Sequence, residues 1–392
     1  MKINKRRKLC IISFAVINLF LIENMSKAYE LGWVNDKIRL ICYALLGILS
    51  FIFAFLYLIR HSGRVKRNSI GMAMSIYFFI MCSMLLLHSN MASDIWLVCT
   101  MIPFSLLMSY FEFSDNCELE KIVNLQCVLF VLYWILFMYN KLFLHQAGAG
   151  KLNSIFYLVL QLPFILSLSN IRWKRVLVGL MAIAVVFSLK RTAMVIFLLA
   201  LIIYLWIKNP NDRVKLIKII VTLFLIGVIT VIIQNEFNVD IIGKFETMAN
   251  DGGSGRIEIY DLLLPKIFTR GLSSFIFGDG YYGVVKIAGG TAHNDFLEIF
   301  FDFGLIGFIA YINIYVVLLK NYFRMNKNKY PYRSQYLVSI VIFLIMSSLS
   351  HVIMIPTYMM FICLYWGMVS SHFYNYLFEE ETTIENCNTN IS

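Results

Sequence analysis

Charge is scarce in this chain. Of its 392 residues only 15% are Asp, Glu, Lys or Arg, while 60% are apolar and 16% aromatic, with a mean hydropathy of +0.74. These values fall outside the range of soluble globular proteins, so the two or three soluble domains suggested by length are excluded. Paired cysteines are also missing. The eight cysteines form no C-x-x-C pair; most lie in apolar runs (Cys10, Cys42, Cys82, Cys99, Cys127, Cys363), and none falls in the long polar interval at 234–295. Neither a disulfide framework nor a zinc site is supported, and no metal is expected. No G-x-x-x-x-G-K-[ST] loop is present, which excludes a P-loop ATPase. There is no G-x-S-x-G elbow and no D-x-D pair of the kind used by metal-dependent nucleotide-sugar transferases. No cofactor is expected.

What is present is a series of apolar runs. Candidate membrane spans fall at about 9–22, 40–59, 70–88, 92–111, 122–139, 153–169, 176–189, 192–207, 217–233, 296–319, 335–353 and 355–373. A helix needs about 20 residues to cross a hydrocarbon core about 30 Å thick. The pattern predicts an all-α polytopic membrane protein of about 12 transmembrane helices. The basic N-terminus, MKINKRRKLC, precedes the first run like a signal peptide, but no small-x-small cleavage site follows it, so a retained first span is expected.

The net charge of +11 fits short basic loops beside apolar runs better than nucleic-acid binding. With the N-terminus in the cytoplasm, 22 Lys and Arg fall in the inner loops and 7 in the short outer ones. Both termini are therefore expected inside, and the interval at 234–295 outside. The expected division is spans 1–9 over residues 1–233, an extracytoplasmic loop at 234–295, spans 10–12 over 296–378, and an acidic cytoplasmic tail at 379–392. In the loop, NDGGSG at 250–255 is a turn, and Ser254 can cap a helix running to about Arg270. Its apolar positions Ile257, Tyr260, Leu264 and Ile267 recur at helical spacing, as in an amphipathic helix lying on a membrane surface, and Pro265 should kink it. FIFGDGYYGV at 275–284 reads as a short strand and a glycine turn.

Three places could carry chemistry. At 290–307, GTAHNDFLEIFFDFGLIG, Thr291 is the expected N-cap, and His293 would stand in the first turn of a helix. The unpaired N–H groups and positive dipole end there favour an anion, and His293 can donate or accept a proton near neutral pH. Asp295, Glu298 and Asp302 share one helix face and run into an apolar span, where charge is usually functional. Gly304 and Gly307 form a small-x-x-small pair suited to close helix packing. The second place is Lys190–Arg191, either a tight hairpin with snorkelling side chains or a phosphate clamp, for which arginine supplies bidentate geometry. The third is Arg256, beside the expected Ser254 cap, either a surface charge or a second phosphate ligand. Lys244, Lys266, Arg270 and Lys286 read as surface charge. His88, His145, His351 and His372 read as interfacial or packing residues.

HNDFLEIFFDFGLIG at 293–307 resembles the H-N-x-x-L-x-x-x-x-(E/D)-x-G-x-x-G signature of the O-antigen polymerase/ligase superfamily. SLKRTA at 188–193, SGRIEIY at 254–260 and FIFGDGYYG at 275–283 resemble further segments of that family, in the family's order. The resemblance covers about 175–320. It implies a metal-independent glycosyltransferase of the bacterial inner membrane whose donor is an undecaprenyl-pyrophosphate-linked oligosaccharide. A chain-length regulator and a flippase of the same pathway would be its partners. By position, Arg191 and Arg256 would hold the pyrophosphate, with Lys190, Asn294 and Thr291 binding substrate. His293 would either activate the acceptor hydroxyl or stabilise the leaving group. Asp302 would be a structural partner for a cation. Polymerisation of repeat units into O-antigen or capsule is the leading expectation. Ligation to lipid A-core and transport of the lipid-linked glycan are the alternatives.

Overall fold

The computed structural model describes residues 11–22, parts of 37–52, 70–85, 116–144, 153–208, 214–237, 243, 256–353 and 355–389. The described residues are helical, with no strand among them. In chain order the helices used below are α1 (Ile11–Ile22), α2 (Ile70–Leu85), α3 (Asn116–Tyr139), α4 (Ile155–Val159), α5 (Leu162–Ser167), α6 (Ile171–Phe187) and α7 (Arg191–Lys208). They continue with α8 (Lys215–Phe237), α9 (Arg256–Thr269), α10 (Leu272–Phe277), α11 (Gly283–Ala288), α12 (Asp295–Lys327), α13 (Arg333–Leu349) and α14 (Pro356–Thr389). The spans expected at 92–111 and over most of 40–59 lie outside the described residues, as does Ser254.

Among the described residues, four segments are long and apolar enough to cross a membrane: Leu119–Phe143, Arg191–Lys208, Leu216–Glu236 and Asp295–Lys327. Shorter apolar helices accompany them at Ile11–Ile22, Ile70–Met81, Ile155–Ser167 and Arg333–Leu349. Helix α8 shows what the environment must be. Ile217, Ile220, Phe224, Val228 and Val231 all lie open on its surface, an arrangement that water penalises and lipid does not. The bundle interior is filled instead by α7 against α13, α12 against α2, and α12 against α13.

The segment expected as one span at 153–169 is two short helices, α4 and α5, sunk in the core. Ile155, Phe156, Leu158, Leu162, Phe164 and Ile165 are all buried. Pro163 stands in the first turn of the second, where its missing N–H costs nothing. A broken helix is tolerated there because protein rather than lipid surrounds it. Several polar side chains of this interior are paired: Gln126 with Gln161, Ser167 with Tyr365, and Tyr330 with His372 at 2.6 Å. His372 is thus a packing residue, as expected.

Helix α12 decides where the site lies. It is interrupted at Gly304, whose φ of 63° and ψ of −165° are not helical. In an unbroken helix the carbonyls of Phe300, Phe301 and Asp302 would receive the N–H groups of residues 304–306. Here they accept from the loop: Arg270 Nη2 bonds Phe300 O at 3.0 Å, Asp279 N bonds Phe301 O at 2.9 Å, and Gly280 N bonds Asp302 O at 3.0 Å. The approach is close. A Cβ on Gly304 would meet Ile276 O at 2.3 Å, and one on Gly278 would meet Asp302 O at 2.3 Å.

Several expectations are corrected by this latch. Residues 275–277 are the end of helix α10, not a strand, because they pack on α12 rather than beside another strand. Gly304 makes room for the loop turn, and Gly307 for the Phe303 side chain of its own helix, rather than for a neighbouring span. Arg270 is no surface charge. Its guanidinium lies over the rings of Phe275, Phe300 and Phe301 and stands 3.9 Å from Asp279. Helix α9 runs on through Pro265. Its inner face is Ile259, Tyr260, Leu263 and Ile267, packed with Val284, Ala292 and Phe301, while Ile257, Leu264 and Phe268 stay exposed.

Candidate functional site

The site is built on the nine residues of α12 before the break. Asn294, not Thr291, is the N-cap: its side chain accepts from Leu297 N at 3.2 Å, and the helix begins at Asp295. His293 therefore precedes the helix instead of standing in its first turn. Its φ of 52° is left-handed, a conformation costly for a residue with a Cβ and one that gathers at functional sites. The residue remains exposed.

The three acids are not a solvated stripe. All are buried. Asp302 accepts from Tyr282 N at 3.0 Å and Val284 N at 3.2 Å, so it caps α11, not a cation as expected. Glu298 accepts from Ala292 N and fixes the segment that carries His293. Asp295 accepts from Val352 N at 3.0 Å and Ile353 N at 3.1 Å, anchoring the turn that follows α13. Tyr311 Oη lies 3.4 Å from the same carboxylate and belongs to a hydroxyl network with Tyr315 and Ser347.

That turn brings in a residue whose role the sequence does not show. His351, expected to be interfacial or packing, places Nδ1 3.1 Å from Glu298 Oε2 and 3.7 Å from Asp295 Oδ1. Its ring faces His293, with centroids 4.8 Å apart. Burial alone would lower its proton affinity, but the two carboxylates outweigh burial and push its pKa up to about 9. His293 moves the other way. Partial desolvation by the packed groups around it lowers its pKa first, then the positive charges of His351 and Arg256 and, least, of Lys190, against an opposite pull from Glu298. It is therefore neutral, and able to accept a proton, at neutral pH. No signal in the sequence could have paired 351 with 293; only the fold closes a separation of 58 residues.

Lys190 and Arg256 thus lie within electrostatic reach of His293. Lys190 sits in a tight connection between α6 and α7. Ser188 Oγ accepts from Lys190 N at 3.1 Å, Leu189 is left-handed at φ 54°, and Ala193 N returns to Lys190 O. The hairpin half of the earlier alternative is therefore present, and it sets Arg191, half-buried, as the first residue of α7. Arg256 is likewise the first residue of α9. Each thus stands at a positive helix end, where an anion is stabilised. Thr291 is half-buried beside this cluster. Among the described residues, no three His, Cys, Asp or Glu side chains are grouped to hold a metal ion.

Residues 176–312 match a family described as O-antigen ligase. This segment, less than half of the chain, is similar to the O-antigen ligase/polymerase superfamily. The matched stretch includes Lys190, Arg191, Arg256, the glycine latch and His293, and stops short of His351. No curated protein matches the chain. The apolar helices mark a membrane protein.

Proposed function

We propose that the chain transfers glycan from a polyprenyl-pyrophosphate carrier to a hydroxyl of an acceptor glycan, and that it does so as a polymerase of repeat units. The observation that carries this reading is the convergence of Lys190 and Arg256 on a neutral, exposed His293. His293 takes the proton of the acceptor hydroxyl as its oxygen attacks the anomeric carbon. The bond from that carbon to the pyrophosphate oxygen breaks, and the pyrophosphate leaves on its lipid. Arg191, Arg256 and Lys190 balance the charge that develops there, a role for which preorganised cations are suited. Asn294 has its side-chain carbonyl engaged as a cap, so its contribution to substrate falls to the amide group. Thr291 lines the approach.

The topology that goes with this is 12 spans with both termini cytoplasmic, the site facing out from the bacterial inner membrane. The exposed Ile257, Leu264 and Phe268 of α9 rest on that outer membrane surface. The family description favours a second reading, transfer of finished glycan to lipid A-core. Glycan from a strain lacking the protein separates them. Loss of the ladder with one repeat still attached supports polymerisation, and loss of all attached glycan supports ligation. Normal ladders would overturn both. Chain extension by reconstituted protein given pure lipid-linked repeat would exclude a mere transporter.

A further inference from the structure

His351 has no role in the transfer step, yet it is paired with two buried carboxylates beside His293. Two carboxylates on the first turns of α12 divide the work. Glu298 binds the backbone before His293 through Ala292 N and the imidazole of His351 through Nδ1. Asp295 binds the backbone after His351 at Val352 N and Ile353 N. Two segments far apart in the chain, 291–293 and 351–353, are thereby pulled onto one helix end, and each presents a histidine ring to the other at 4.8 Å with 41° between planes. Both ring nitrogens of His351 are buried without a hydrogen bond among the described residues; Nδ1 meets the two carboxylates as an ion pair, and the far nitrogen, Nε2, faces neither. Packing alone does not call for an imidazole there, since an apolar side chain would leave no buried nitrogen unsatisfied.

We propose that His351 is a positioning residue of this site: clamped by Asp295 and Glu298, it fixes the ring of His293 as the proton acceptor. The proposal rests on the transfer reaction above but concerns a residue outside the matched family segment. As an imidazolium, His351 is a fixed positive charge against one face of His293, which disfavours a second charge on that ring and leaves the ring free for the acceptor hydroxyl. The charged and titratable groups around the pair are Asp295 and Glu298 from α12, Arg256 from α9, Lys190 ahead of α7, Tyr311 beside Asp295, and Tyr281, which acts on the pair through Glu298. Removal of His351 withdraws one cation and exposes His293 to the Glu298 carboxylate. Both changes raise the proton affinity of His293.

The test has two arms. In the first, purified full-length protein in detergent is labelled at histidine, and both rings are followed by NMR across pH. In the wild type His351 must titrate above His293, and equal titration points overturn the proposal whether or not any variant folds. In His351→Gln, His293 must titrate about one pH unit higher, and in His351→Lys, which restores a cation, it must return toward the wild-type value. An unmoved His293 in His351→Gln also overturns the proposal. The second arm measures kcat/KM for transfer from a lipid-linked repeat. The acid limb moves up with the His293 titration in His351→Gln and returns in His351→Lys, whereas a uniform loss at every pH with an unmoved limb marks a merely structural residue. Wild-type protein that transfers nothing while the first arm succeeds would overturn the function and leave the pairing standing.

Discussion

His293 stands on a left-handed backbone that neighbouring bonds must hold in place: Asn294 caps the helix after it, and Glu298 ties down Ala292 before it. In the proposed role of base, a residue held in this way contributes about 10²–10⁴ in rate. His293→Ala should lose that factor with an unchanged thermal unfolding midpoint in detergent, since the side chain is exposed. Arg191→Lys should also fail in transfer, because lysine cannot reproduce the planar fork. Asp302→Ala is different in kind. It leaves the buried N–H of Val284 and the N–H of Tyr282 without an acceptor, at a cost of about 2–4 kcal/mol. That loss should appear in the unfolding midpoint first and in activity only as a consequence. The His351 clamp gives a pH signature as well. The residue's folded pKa of about 9 lies above its ordinary value, so the stability it contributes is complete below pH about 6.5 and is lost as pH rises through about 9. The midpoints of wild type and His351→Gln should differ at pH 6 and converge near pH 10. A constant gap would contradict the clamp.

At the scale of elements, the break in α12 is the feature on which the site depends. The H-N-x-x-L signature looks like a row of substrate-binding groups, but most of its residues build the backbone. Asn294 caps, Leu297 packs in the small core under α9, Asp302 caps α11, and Gly304 opens the helix so that the 278–280 turn can bond its carbonyls. Only His293, with the amide group of Asn294 beside it, is left for a ligand. Gly304→Ala should therefore be severe, since a Cβ at a φ of 63° would also press on Ile276 O, which is backbone and cannot swing away. We expect loss of folded protein from the membrane, read by fluorescence-detected size exclusion, with a smaller loss for a substitution at open Gly271.

For the whole molecule, the described helix positions follow the apolar runs closely, because lipid and bundle core both demand continuous greasy helices and no strand competes. Lys190, Arg256 and His293 were also legible, since cations and a histidine at helix starts are costly beside apolar runs. The cap at Asn294, the latch of Arg270 onto Phe300 and the partnership of His351 were not. Each depends on a carbonyl or a ring that only the broken helix and the end of α13 bring near. The asymmetry of Lys and Arg between loops, 22 against 7, makes its own prediction. With native cysteines replaced, Lys286→Cys should react with an impermeant thiol reagent added outside intact spheroplasts, and Lys327→Cys, exposed at the other end of α12, only after lysis. Reversed labelling would invert the topology and remove the site from the outer face.

The central claim is that His293 accepts the proton in a transfer driven from a lipid pyrophosphate. It is tested most directly by purified protein in liposomes with a single lipid-linked repeat as substrate, comparing wild type with His293→Ala at matched folded protein. The account predicts chain extension by the wild type and a rate lower by about 10²–10⁴ in the variant. Extension by His293→Ala at the wild-type rate would contradict it.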